Sequence, residues 1–171
     1  MLRGGIIHAY PSLPVPPEIL PGDTVQHPDL RTMLCAWMQI GDKTLPQNPD
    51  AILKPIKSFL HSVHLSDVLN GGKDFRFRVI GVAVFPGLEE NQTGRLISQH
   101  PDPGISLRFT ALMQKTVEIR APVRGLSKRI TDHISRDFLV ESLWLPFGTN
   151  DEVKQIMSMA VFSPLSTSPL P

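Results

Sequence analysis

Cysteine is nearly absent from this chain. Cys35 is the one thiol in 171 residues, so no intrachain disulfide can form and neither a thiolate zinc cluster nor a redox pair can be built. That usage suits a reducing compartment, and a cytoplasmic protein is expected. Net charge is scarce too: seventeen Lys and Arg stand against sixteen Asp and Glu, giving +1 without a long run of either sign. The electrostatic footprint of a nucleic-acid binder is therefore missing. No apolar run approaches the roughly 20 residues that span a bilayer, so no membrane association is expected. The opening MLRGGIIHAYPSLPVPP lacks the continuous apolar stretch of a signal peptide. Phosphate-loop chemistry is also lacking, because the glycine pairs at Arg3 to Gly5 and Asn70 to Gly72 have neither the lysine nor the strand-to-helix setting it needs.

What is present is proline at both ends and apolar periodicity between them. Pro11, Pro14, Pro16, Pro17 and Pro21 each lock their own backbone and bias the preceding residue away from helix, so residues 1–27 are predicted to form an extended or disordered arm. The tail, 164–171, has the same character. Between them a hydrophobic content of 41% supports one core, and a single domain over 28–163 is expected. Pro28 and Asp29 open a front helix over 28–41, with Leu30, Met33, Leu34, Trp37 and Met38 at three- and four-residue spacing and Gly41 as its stop. Such a stripe must be covered, by the chain's own sheet or by a second copy. A homodimer through this helix is the expectation taken forward.

A short helical turn near residues 51–56 precedes a change of period. Phe59, Val63, Leu65 and Leu69 alternate with polar residues, and Phe75, Phe77 and Val79 do the same beyond an Asn70-Gly71-Gly72 turn, which predicts a β-hairpin. Residues 83–100 carry Pro86, Gly87 and Gly94 and suit short helical turns. Asp102 then caps a long helix with Pro103 in its first position, and Ile105, Phe109, Leu112, Met113 and Thr116 share one face. Three strand-like segments follow: VRGLSKRIT, FLVESLWLPF and VKQIMSMAVF.

Against this order of elements, two stretches carry a family likeness. ENQTGRLISQHPDPG places Thr93, Gly94 and Arg95 before His100, Pro101 and Asp102, and VESLWLPFGTNDEVKQIMSMAVF places Glu141 ahead of Pro146 and Val153. Together they resemble the PAS domain family from about Leu60 to Ser163, with a core spanning 59–163. WMQIGDKTLPQNPDAI and DFRFRVIG look similar to a bacterial variety in which a helix precedes the first strand. Pro103 departs from the second acidic residue of the usual HPDD. The resemblance implies an α+β fold: a five-stranded antiparallel sheet with short helices and one longer helix packed on one face, preceded by the amphipathic helix. It implies a stand-alone sensory or interaction domain that is not an enzyme. With no kinase, cyclase or DNA-binding segment read after the last strand, output is expected through self-association or a signalling partner protein. Haem-binding relatives usually carry a histidine on the long helix, which Ile105 to Ile119 lacks, and Cys35 does not match the cysteine of flavin photosensors. Haem and flavin are disfavoured and no cofactor is assigned.

Candidate site residues follow from the pattern. Phe109 and Met113 share a helix face, and Trp144 and Met157 come from the last two strands, so these four are the expected lining of a pocket for a small, mainly apolar molecule. Packed together without a void, or on different faces, they would instead indicate a structural dimerisation module. Arg76 and Arg78 share one strand face and could meet an anion or a partner, because a guanidinium forms paired hydrogen bonds to carboxylate or phosphate. His61 and His64 are three apart on a strand and should not converge on a metal; both are read as surface histidines. The alternative from another class is a small cone-shaped isomerase or dehydratase with His61, His64 or His100 as base.

Overall fold

The computed structural model describes residues 16–41, 44–84, 91–131 and 136–164, for 128–138 and 164 by their backbone alone. The proline-rich residues 1–15, most of the predicted tail, and Pro86 and Gly87 lie outside these. The elements are β1 (Glu18–Pro21), α1 (Pro28–Ile40), β2 (Val63–Leu69), β3 (Asp74–Ile80), α2 (Pro103–Ile119), β4 (Val123–Thr131), β5 (Arg136–Gly148) and β6 (Val153–Pro164), with short 3-10 turns at Pro49–Ile52, Lys57–Ser62 and Ile97–Gln99. The chain is α+β. Among the described residues the sheet is antiparallel and has six strands in the order β1-β4-β5-β6-β2-β3.

The sixth strand corrects the expected five. Glu18–Pro21 was assigned to the proline-rich arm, yet it pairs with β4 from Glu18↔Leu126 to Pro21↔Val123. A proline is tolerated there because β1 is an edge strand, and Pro21 sits at its end. The helical layer needs a second correction: it lies on both faces of the sheet. Leu30, Met33 and Leu34 of α1 pack with Ile52, Ile56 and Phe59 of the turns against Leu143, Leu145, Phe147, Met157 and Met159. Ile105, Leu112 and Met113 of α2 occupy the opposite face with Phe75, Phe77, Val123, Trp144 and Ile156. Leu30 and Met33 are fully buried, so the stripe assigned to a homodimer seam is used within the chain, with Trp37 half-buried and Met38 exposed.

The β2–β3 hairpin turns where the sequence predicts. Asn70, Gly71 and Gly72 all have positive φ, and the amides of Gly72 and Lys73 both donate to the Leu69 carbonyl. The alternation read along β3 breaks at Arg78, however. Leu65 pairs with Val79 while Ser66 pairs with Phe77, so one extra residue bulges out. Val79, expected in the core with Phe75 and Phe77, is 55% exposed, and Ile80 is buried instead.

The tetrapeptide Gln-His-Pro-Asp occurs at 26–29 and 99–102, ahead of both helices. In each, Nδ1 of the histidine accepts from the aspartate amide, at 3.2 Å for His27 and 3.0 Å for His100. The helix starts differ because the next residues differ. Leu30 lets α1 begin at Pro28, whereas Pro103 biases Asp102 toward extended backbone, so Asp102 becomes the cap of α2. Its Oδ1 accepts from Gly104 N at 2.8 Å and Ile105 N at 3.1 Å. Asp102→Ala leaves those amides without their acceptor and is expected to cost about 0.5 to 2 kcal/mol in urea denaturation. Ligand binding should survive the change; a variant of unaltered stability that lost a binding activity would contradict the capping role.

Candidate functional site

A cavity of about 220 Å³ lies between α2 and the sheet. Its origin is legible in the alternation of β6. Met157, Met159 and Val161 point to the α1 face and fill it, while Ser158 and Ala160 point to the α2 face, where small side chains leave space. Ser142 does the same on β5. Beside it on β4, Gly125 lets α2 approach closely: a Cβ there would meet Leu112 Cδ2 at 2.8 Å and Ser142 Oγ at 2.6 Å. Exposed Ala83 and Phe162 border the cavity.

Aromatic rings build one wall. His64 stacks on Phe109 with centroids 5.4 Å apart and planes 3° from parallel. Trp144 meets His64 at 5.5 Å and Phe109 at 5.1 Å, both edge to face, and Phe77 closes the group at 5.8 Å from His64. Trp144 Nε1 donates to Ser142 Oγ at 2.8 Å, which satisfies the indole.

His64 is the residue that the sequence misplaces. Its place in the sequence suggests a surface histidine, but it is 4% exposed, and burial lowers its pKa from 6.5 to about 4. The imidazole is therefore neutral at pH 7. Among the described residues its Nε2 has no hydrogen-bond partner, nor do Oγ of Ser158 and Oγ of Ser66. His64 and Ser158 are cross-strand partners, and Ser158 in turn faces Trp144, so the three form a row across β2, β6 and β5. His61, expected on the same strand, lies instead in the Lys57–Ser62 turn and is exposed, while His64 is buried.

Of the four residues expected to line a pocket, Phe109 and Trp144 do so. Met113 is fully buried in the same cluster behind them. Met157 faces α1 on the other side of the sheet, which corrects its assignment. Arg76 and Arg78, the candidates for an anion, each lie 3.4 Å from the Asp67 carboxylate, which also accepts from Gln155 Nε2 at 3.1 Å. Both arginines stay exposed beyond that ion pair. The Thr93-Gly94-Arg95 stretch has a backbone role: Gly94 N donates to the Phe77 carbonyl at 2.7 Å, Phe77 N donates to the Arg95 carbonyl at 3.1 Å, and the segment runs along the free edge of β3.

A base titrating near 4 is poorly matched to proton abstraction at neutral pH. No hydrogen bond joins His64 to Ser158. Among the described residues no group of three or more His, Cys, Asp or Glu is placed to hold a metal ion, and no helix is long and apolar enough to cross a membrane. No family model matches the chain, and neither curated proteins nor solved structures yield a match.

Proposed function

We propose that the protein is a cytoplasmic, non-enzymatic PAS-like sensory domain that binds a small, mainly apolar molecule in the cavity between α2 and the sheet. The observation that carries this is the cavity itself, walled by Phe109, Trp144 and a neutral His64. The order of elements supports it as well: a hairpin, a long helix and three antiparallel strands, with Trp144 and Ser158 neighbours on the last two. Output would pass to a partner protein or through self-association. Since α1 buries its apolar stripe against the sheet, self-association would use side chains it leaves exposed, Met38 among them. The isomerase or dehydratase alternative has weaker support, because it requires a base poised near the working pH. A structural module with a filled core would have no use for the space beside Ser158 and Ala160.

The test is a melting scan against small neutral compounds. A ligand at a hundred times its dissociation constant is expected to raise stability by about 2.7 kcal/mol, or about 5 to 10 °C in Tm for a chain of this size. Trp144→Ala should weaken the shift by removing a wall. Ala160→Leu should abolish it by filling the space without disturbing the other face. A broad screen with no shift would leave the structural module as the better account.

A further inference from the structure

The cavity has a polar inner end whose chemistry narrows the ligand. Two buried polar atoms there lack partners: Nε2 of His64, in a residue 4% exposed, and Oγ of Ser158, in a residue 0% exposed. They sit on directly paired positions of β2 and β6, and both side chains line the cavity. Leaving such atoms unsatisfied is costly, so they mark where a ligand's own polar group would be welcome.

We infer that the cavity takes a neutral, single-ring compound bearing one hydroxyl, with the ring against Phe109 and Trp144 and the hydroxyl between His64 Nε2 and Ser158 Oγ. This rests on the cavity being a ligand site. Three observations set the class. At about 220 Å³ the space exceeds the roughly 150 Å³ that suffices for benzene and falls below the range of drug-sized pockets, which fits one ring with a substituent. The walls near the polar pair are aromatic, and they can meet a further ring edge to face as they meet each other. A hydroxyl both donates and accepts, as does the serine, and a neutral imidazole supplies one or the other at Nε2. An anion is disfavoured because the described residues at the inner end include no cation. Arg108, the guanidinium on the cavity wall, is itself partnered.

The experiment titrates phenol, toluene and benzoate into the full chain and follows binding by ligand-observed NMR, with variants Ser158→Ala and His64→Phe checked for cooperative melting. Phenol is expected to bind about tenfold tighter than toluene, with benzoate weakest. Either variant should reduce the preference of phenol over toluene from about tenfold to near parity. Ser158→Ala removes only a hydroxyl that has no partner, so it reads the polar end even if the larger change at His64 perturbs folding. Equal binding of phenol and toluene to the wild type would overturn the hydroxyl assignment and leave the apolar cavity standing. So would a phenol preference untouched by both variants, or benzoate binding tightest. If none of the three binds, the inference and the ligand-site proposal fall together.

Discussion

Between pH 6.5 and about pH 4 the protein is expected to lose about 3 kcal/mol of stability that a His64→Phe variant retains. The imidazole of the unfolded chain takes up its proton near 6.5, whereas the folded protein resists it until about 4 because burial disfavours the charged form. Throughout that window the unfolded state binds more protons, so stability rises with pH. The contribution is fully present above about 6.5 and is lost progressively as the pH falls toward 4. Phenylalanine cannot titrate, fills a similar ring-shaped space beside Phe109, Phe77 and Trp144, and removes the unpartnered Nε2. Urea denaturation of both proteins across the window measures the difference, in which the other titrating groups cancel. Parallel curves would mean that His64 is hydrated and free to protonate in the folded state.

Glu141→Gln is expected to cost about 3 kcal/mol, far more than an ordinary surface ion pair would. Glu141 projects from β5, where its Oε1 accepts from Arg124 Nε at 2.8 Å and from Gln26 N at 2.6 Å, and its Oε2 accepts from His27 N at 3.1 Å. The side chains of Glu141 and Arg124 are only 12% and 13% exposed, which decides between the two regimes. One carboxylate thus joins β4, β5 and the start of α1. Glutamine turns an amide NH2 toward one of these donors and leaves a guanidinium uncompensated. Replacing both charged partners, as in Glu141→Met with Arg124→Leu, should recover only part of the loss, because the amides of Gln26 and His27 remain without an acceptor. Chemical denaturation gives the magnitude, and faster hydrogen exchange at Gln26 and His27 should locate it. A loss under about 1 kcal/mol would place Glu141 with the surface pairs.

Much of the fold is legible in local sequence. The Asn70-Gly71-Gly72 turn, the aspartate and proline at 102 and 103, and the apolar periodicities of α1 and α2 act within a few residues, where backbone chemistry decides. The strands β4, β5 and β6 were read within a few residues of their bounds for the same reason. The candidate site was half legible: Phe109 and Trp144 were found from helix spacing and strand position. Met157 was not, because both faces of β6 are covered and alternation alone does not say which face meets which helix. His64 was missed on the same ground, since a polar residue between Val63 and Leu65 looks solvent-facing until a second helix covers that side.

By itself, then, the sequence determined the elements, their turns and caps, and the small side chains Ser158 and Ala160 that make room for a cavity. The tertiary structure decided everything that depends on distant partners. It gave β1 a neighbour in β4, more than a hundred residues away, and spent the α1 stripe on this chain's own sheet. It also buried His64 beside α2, turning a histidine with an ordinary pKa of 6.5 into a neutral one. The physical reason is the range of each force: backbone conformation and capping act on adjacent residues, whereas burial and desolvation exist only once remote segments have closed over the same atoms.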